Sequence, residues 1–222
     1  MMPVKICGIT NADDAQLAVQ YGTSAIGFIF YDQSPRYITP ENASQITIDI
    51  KEKVSFVGVF VDETLDYVHG VAKEVGLDFI QLHGNESPAY CQEIHFPVIK
   101  VFRVSSDFNA GIIKSYNVHA FLFDTYKKNK FGGTGEVLNW DKISNLQIDK
   151  PIILSGGLNI ENIEGGVDIV CPSAVDVNSG VESRPGKKNE KKMVSLVKIL
   201  NNTQSATNPF EIPVIQRDSY DI

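Results

Sequence analysis

The sequence predicts a single-domain α/β protein, a (β/α)8 or TIM barrel, on three observations. Short apolar, β-branched runs alternate with helical periodicity eight times between residue 3 and about residue 202. The strand starts fall near Pro3, Ser24, Ser55, Asp78, Val98, Ala120, Pro151 and Ser173, 20 to 31 residues apart, which is room for a strand, a loop and a helix. Runs such as Val57-Gly58-Val59-Phe60-Val61 and Ile152-Ile153-Leu154 are continuously apolar, the pattern of parallel strands covered on both faces. Eight such units close a barrel, and 222 residues lie at the small end of that architecture. A doubly wound open sheet is the structural alternative. It calls for a G-x-G-x-x-G turn after the first strand, and the chain has none.

The first strand is Val4-Lys5-Ile6-Cys7, ended by Gly8. Side chains alternate along a strand, so Lys5 and Cys7 share one face. Asn11-Ala12-Asp13-Asp14 opens a helix with a capping side chain and early acids, and Tyr21-Gly22 stops it. Ser24-Ala25-Ile26-Gly27-Phe28-Ile29-Phe30 is the second strand, and a loop with Ser34-Pro35-Arg36-Tyr37 follows. Thr39 caps the next helix with Pro40 at its first position. Later helical segments are expected near 63–76, 87–95, 107–117, 140–147, 159–165 and 187–201. Residues 203–222 fall outside this pattern. They form an extension, either untied or docked through Phe210, Ile212, Val214 and Ile215, and catalysis is expected not to need it.

Net charge is −7 and the pI about 5.1, which argues against a nucleic-acid partner. The three cysteines, Cys7, Cys91 and Cys171, form no C-x-x-C pair, so neither a zinc site nor a disulfide framework is suggested. No basic region precedes an apolar run at the N-terminus, and no apolar stretch approaches the ~20 residues of a membrane helix. A cytoplasmic location without membrane partners is expected.

In a barrel of this kind the working residues stand at the C-terminal strand ends and in the loops that follow. Those positions hold Cys7, Arg36, Asp62, His83, Arg103, Asp124 and Asp176. Glycines cluster in the last three loops, as Gly132-Gly133-Thr134-Gly135, Gly156-Gly157 and Ser179-Gly180. Glycine lets backbone N–H groups approach an anion, and barrels often hold a phosphate after strands seven and eight. A P-loop is excluded, because Lys187 is followed by Lys188 and not by Ser or Thr. Cys7 and Asp124 offer a base and an acid for proton transfer. That work needs a thiolate and a protonated carboxyl; Lys5 is expected to lower the thiol pKa, and burial to raise that of Asp124. His83 is a rival acid–base group. Arg36 offers a planar fork for a carboxylate, and Lys127-Lys128-Asn129-Lys130 offers positive charge to an anionic substrate.

Seven stretches carry a family resemblance in order: Lys5-Ile6-Cys7-Gly8-Ile9-Thr10; Ser34-Pro35-Arg36-Tyr37; Gly58-Val59-Phe60-Val61; Gln81-Leu82-His83-Gly84; Asp124-Thr125 with Gly132-Gly133-Thr134-Gly135; Ser155-Gly156-Gly157-Leu158-Asn159; and Val175-Asp176-Val177-Asn178-Ser179-Gly180-Val181-Glu182 with Pro185-Gly186-Lys187-Lys188. Together they resemble the phosphoribosylanthranilate isomerase family of tryptophan biosynthesis. The resemblance implies an Amadori rearrangement of N-(5-phospho-β-D-ribosyl)anthranilate to 1-(2-carboxyphenylamino)-1-deoxy-D-ribulose 5-phosphate. It implies Asp124 as general acid, Cys7 as general base and Arg36 on the anthranilate carboxylate. Gly133, Gly156, Gly157, Ser179 and Gly180 match the phosphate site, Asp176 lies near the sugar hydroxyls, and His83 counts among the substrate-binding residues. No metal or organic cofactor is implied, and a monomer or homodimer acting on a small molecule is expected. Leu138 stands where the family often has an aromatic residue and Asn178 where it often has Ser. The alternatives are another phosphate-binding barrel enzyme of tryptophan or histidine biosynthesis, or a barrel that binds phosphate without catalysis.

Overall fold

The structure is a computed structural model that describes residues 1–50, 53–105, 107–124, 140–203, 205 and 207–211. Eight parallel strands close into a barrel in sequence order: β1 (Val4–Cys7), β2 (Ala25–Ile29), β3 (Ser55–Phe60), β4 (Phe79–Leu82), β5 (Val98–Arg103), β6 (Ala120–Asp124), β7 (Ile152–Ser155) and β8 (Ala174–Val177). β1 pairs with both β2 and β8, so the sheet has no edge. Every strand begins within one residue of the start expected from the sequence. The helices α1 (Ala12–Gln20), α2 (Pro40–Ile50), α3 (Leu65–Val75), α4 (Pro88–Gln92), α5 (Trp140–Ser144), α6 (Ile163–Val170) and α7 (Glu190–Asn201) alternate with the strands.

Local chemistry explains most boundaries. The Asn11 side chain accepts from Asp14 N at the start of α1, and Thr64 and Ser87 do the same for Tyr67 N in α3 and Tyr90 N in α4. Gly76 ends α3 in a left-handed conformation. Three expectations need correction. The fifth unit has no α-helix; residues Ala110–Ser115 form a 3-10 turn capped by Asn109. The helix of the seventh unit, α6, starts at Ile163 rather than 159 and runs to Val170, because Asn159 and Asn162 fold the intervening residues into side-chain-braced turns. It passes through Gly165-Gly166, where the sequence suggested an end, because a Cβ on Gly166 would press against Trp140 and Leu154 at about 3 Å. Finally, Lys187–Lys188 is not helical. It forms strand β10, paired with β9 (Glu182–Arg184) in a small hairpin after β8.

The register sets what points inward. Lys5 is aligned with Asp176 and Ala25, Cys7 with Gly27, Gln81 with Val59 and Ile99, Arg103 with Asp124, and Asp124 with Ser155. Lys5 meets Asp176 inside the ring, so this whole set faces the barrel interior. The outward strand residues, such as Ile6, Phe28, Ile80 and Phe121, pack against the helices in one continuous core. The inward residues at the N-terminal end form a second core of Ala25, Val57, Phe79, Ile99, Ala120, Ile153 and Ala174 with neighbours above them. Phe210, from the extension, joins this second core. Among the described residues no helix is long and apolar enough to cross a membrane.

Candidate active site

Cys7 is the last inward residue of β1 and is buried. Below it Lys5, with no exposed surface, donates to Asp176 Oδ1 at 2.8 Å. Asp176 Oδ2 lies 3.3 Å from Ser155 Oγ. Gly27 makes room for the pair: a Cβ there would come within about 3 Å of both Cys7 Sγ and the Lys5 side chain. Burial pulls the Lys5 ammonium pKa down, but Asp176 and then Cys7 outweigh it and the net shift is upward, so Lys5 stays charged. For Cys7 the balance goes the other way from the sequence expectation. Burial pushes the thiol up from its ordinary value; Lys5 pulls it back, Asp176 adds to the rise, and Lys188 lowers it by a smaller amount. Lys5 acts in the expected direction, yet desolvation wins.

Asp124 ends β6, three steps round the ring from β1 through β7 and β8. It therefore faces Cys7 across the mouth. His83, one residue past β4, brings Nε2 to 3.5 Å from Asp124 Oδ2, and both are partly buried. Gln81 Nε2 lies 3.4 Å from His83 Nδ1. A proton on His83 Nε2 fits this arrangement: Nδ1 then accepts from the Gln81 amide, and Asp124 Oδ2 accepts from Nε2 whether or not Oδ1 carries a proton. The sequence left His83 without a partner; the fold supplies two. The loop that carries it is fixed from below. Lys100 on β5 donates to Leu82 O, Gly84 O and Glu86 Oε2 at 3.2, 2.9 and 2.8 Å. Glu86 Oε1 accepts from Asp62 N and Gly84 N.

Arg36 reaches the same mouth over Gly8. That glycine has φ +71, and a Cβ on it would lie 2.8 Å from both Arg36 Cδ and Asn178 Oδ1, so backbone angle and space both require glycine. The guanidinium is engaged within the protein. Its Nε and Nη2 grip Glu182 in a bidentate pair, with 2.9 Å from Nε to Oε1 and 2.7 Å from Nη2 to Oε2. Glu182 also pairs with Lys188 Nζ at 3.0 Å, and Lys188 has no exposed side-chain surface. Lys188 in turn donates to the Cys7 carbonyl and to Asn178 Oδ1. Burial alone would raise the Glu182 pKa, but Arg36 and Lys188 bring it below the ordinary value, so the carboxylate is ionised. This ion network ties the end of β1, the loop after β2 and the β9–β10 hairpin together. Sequence reasoning assigned no role to Glu182 or Lys188, since their partners lie up to 181 residues away.

The glycine loops after β7 and β8 meet at the same end. Gly156 and Gly157 have φ of 93 and 71, and a Cβ on Gly180 would overlap the Leu158 carbonyl. Gly157, Asn159, Ser179, Gly180 and Lys192 line a cavity of about 360 Å³ there. A cavity of about 430 Å³ lies elsewhere, beside the N-terminal ends of β5 and β6, lined by Pro97, Val98, His119 and Lys150. Gly133, Leu138 and the Lys127–Lys130 run lie outside the described residues. Among the described residues no group of three or more His, Cys, Asp or Glu side chains is set to hold a metal ion.

Residues 4–199 match the family model described as N-(5'phosphoribosyl)anthranilate (PRA) isomerase. The chain is 45% identical over 193 residues to the N-(5'-phosphoribosyl)anthranilate isomerase of Geobacter sp. strain M21, covering 87% of this chain and 95% of that one. It superposes on the phosphoribosyl anthranilate isomerase of Thermotoga maritima with a TM-score of 0.81 at 39% identity, covering 91% of this chain and all of the other. A further solved isomerase, in complex with reduced 1-(o-carboxyphenylamino)-1-deoxyribulose 5-phosphate, gives a TM-score of 0.77 at 37% identity, with 91% of this chain and all of that one covered.

Proposed function

Because this chain belongs to the N-(5'-phosphoribosyl)anthranilate isomerase family, we propose that it opens and rearranges N-(5-phosphoribosyl)anthranilate in tryptophan biosynthesis, with Asp124 as general acid and Cys7 as general base. The observation that supports this reading is the shared mouth. A thiol at the end of β1, a carboxyl at the end of β6, the Arg36 guanidinium and the two glycine loops all open onto it.

Protonated Asp124 gives its proton to the ribose ring oxygen. The bond from that oxygen to C1 breaks as the anilino nitrogen lone pair moves into a C=N bond, leaving an open-chain Schiff base. Cys7, as thiolate, removes the proton from C2. The electron pair left behind forms a C1–C2 double bond and returns the C=N pair to nitrogen. The enolamine then tautomerises to the ketone. Lys5 and Lys188 are the cations that favour the thiolate against burial. His83 orients the Asp124 carboxyl through Nε2. Arg36 meets the anthranilate carboxylate while sharing its guanidinium with Glu182. The loops of Gly156-Gly157 and Ser179-Gly180 receive the phosphate, and Asp176, braced by Lys5, lies below the sugar.

The direct test is a fluorescence assay that follows consumption of phosphoribosylanthranilate by the purified protein. Steady loss of substrate signal at catalytic enzyme concentrations is expected; a folded protein that leaves it unchanged overturns the assignment. Inorganic phosphate or sulfate is expected to compete with substrate, raising KM without changing kcat, measured at constant ionic strength. No competition at high millimolar phosphate would remove the phosphate from the β7 and β8 loops.

A further inference from the structure

Three of the inward residues at the N-terminal end of the barrel are small. Ala25 on β2, Ala120 on β6 and Ala174 on β8 are all fully buried there, where barrel interiors are ordinarily filled by bulky branched side chains. Three alanines in one end of a closed ring leave a well, and close packing does not tolerate an empty one. Phe210 fills it. Its ring is buried with only 2% exposure and lies among those alanines with Val57, Ile99 and Ile153. It meets the Phe79 ring edge-on at 6.3 Å, a favoured aromatic geometry. Two rim side chains hold the backbone that delivers it. Ser55 Oγ donates to Phe210 O at 2.7 Å, and His119 Nε2 donates to Pro209 O at 2.8 Å. The segment is also braced within itself: Asn208 Oδ1 accepts from Phe210 N, and Asn208 Nδ2 donates to the Glu211 carboxylate. Pro209 further restricts this turn. The segment that carries Phe210 lies past residue 199, where the family match ends.

We propose that the N-terminal mouth of this barrel is a docking surface whose partner is the chain's own C-terminal segment, Thr207 to Glu211, with the Phe210 ring as stopper. The surface recognises an aromatic side chain flanked by two consecutive backbone carbonyls. The stopper sits at the opposite end of the barrel from Cys7 and Asp124, so it supports the fold and leaves the chemistry alone.

The test uses the full-length chain. Phe210→Ala is expected to lower the thermal midpoint by roughly 5–15 °C, the range for emptying a buried aromatic site in a domain of this size. It is also expected to raise binding of a hydrophobic dye, with isomerase kcat and KM at 25 °C unchanged. Phe210→Leu, which refills most of the well, should recover part of the midpoint and provides the reading if the alanine variant does not fold. Ala120→Leu should destabilise the wild-type chain by crowding Phe210, yet cost less or even restore stability in the Phe210→Ala background. A peptide spanning residues 205–213 should raise the midpoint of the Phe210→Ala protein, and the same peptide with alanine for phenylalanine should not. An unchanged midpoint in Phe210→Ala overturns the proposal. So does strict additivity of Ala120→Leu with Phe210→Ala, which would mean that the two side chains do not share one space. Loss of turnover in a stable Phe210→Ala protein would overturn the separation from the active mouth without touching the isomerase assignment, which the wild-type assay tests alone.

Discussion

Cys7→Ala and Asp124→Asn are each expected to reduce kcat by roughly 10²- to 10⁴-fold, the usual contribution of a positioned general acid or base, with circular dichroism unchanged. Both substitutions are mild for the fold. Alanine removes a sulfur packed beside Gly27 and adds nothing that could clash. Asparagine keeps the shape of Asp124 and an oxygen for His83 Nε2. What each loses is the proton: alanine cannot take one from C2, and an amide cannot give one to the ring oxygen. The two variants should also differ from a His83 change. His83→Gln retains Asp124, so it should lower kcat by less than Asp124→Asn. Near wild-type turnover in either Cys7→Ala or Asp124→Asn, with native spectra, removes that residue from the mechanism.

The barrel was legible because its signals are local. Apolar runs, helix caps and stop glycines each act within a few residues, and the strand starts follow from them within one position. Strand alternation also revealed that Lys5 and Cys7 share a face, and this is the seed of the site. The failures have a common cause in distance along the chain. Whether Lys5 or burial controls the thiol depends on how completely the ring encloses Cys7, and Asp176, 171 residues from Lys5, takes up much of its charge. The grip of Glu182 on Arg36 spans 146 residues, and no spacing rule predicts it. Gly165-Gly166 reads as a helix stop unless Trp140 is known to pack against it. The well for Phe210 is written as three alanines in three separate strands, and it becomes a cavity only once the register aligns them.

Arg36→Ala is expected to weaken substrate binding by roughly ten- to over a hundredfold, the equivalent of about 1.5–3 kcal/mol for a hydrogen bond to a charged group. Arg36→Lys keeps the charge but loses the planar fork, so it should recover only part of that loss. The Glu182 contact sharpens the prediction. Glu182 holds the Nε and Nη2 edge and thereby fixes the direction in which the guanidinium faces the mouth. Glu182→Gln keeps one acceptor for Arg36 and for buried Lys188 but loses the second charged contact. It should fall between wild type and Arg36→Ala for the true substrate. Glu182→Ala is the poorer probe, because it strands the Lys188 ammonium, which has no exposed side-chain surface, without its counter-ion. An analogue that lacks the anthranilate carboxylate separates the roles. If Arg36 holds that carboxylate, the analogue should bind wild type, Arg36→Ala and Glu182→Gln about equally. If Arg36→Ala weakens the analogue as much as the substrate, the Arg36–Glu182 pair serves to hold the loop after β2 against the hairpin, and the carboxylate must be received elsewhere in the mouth.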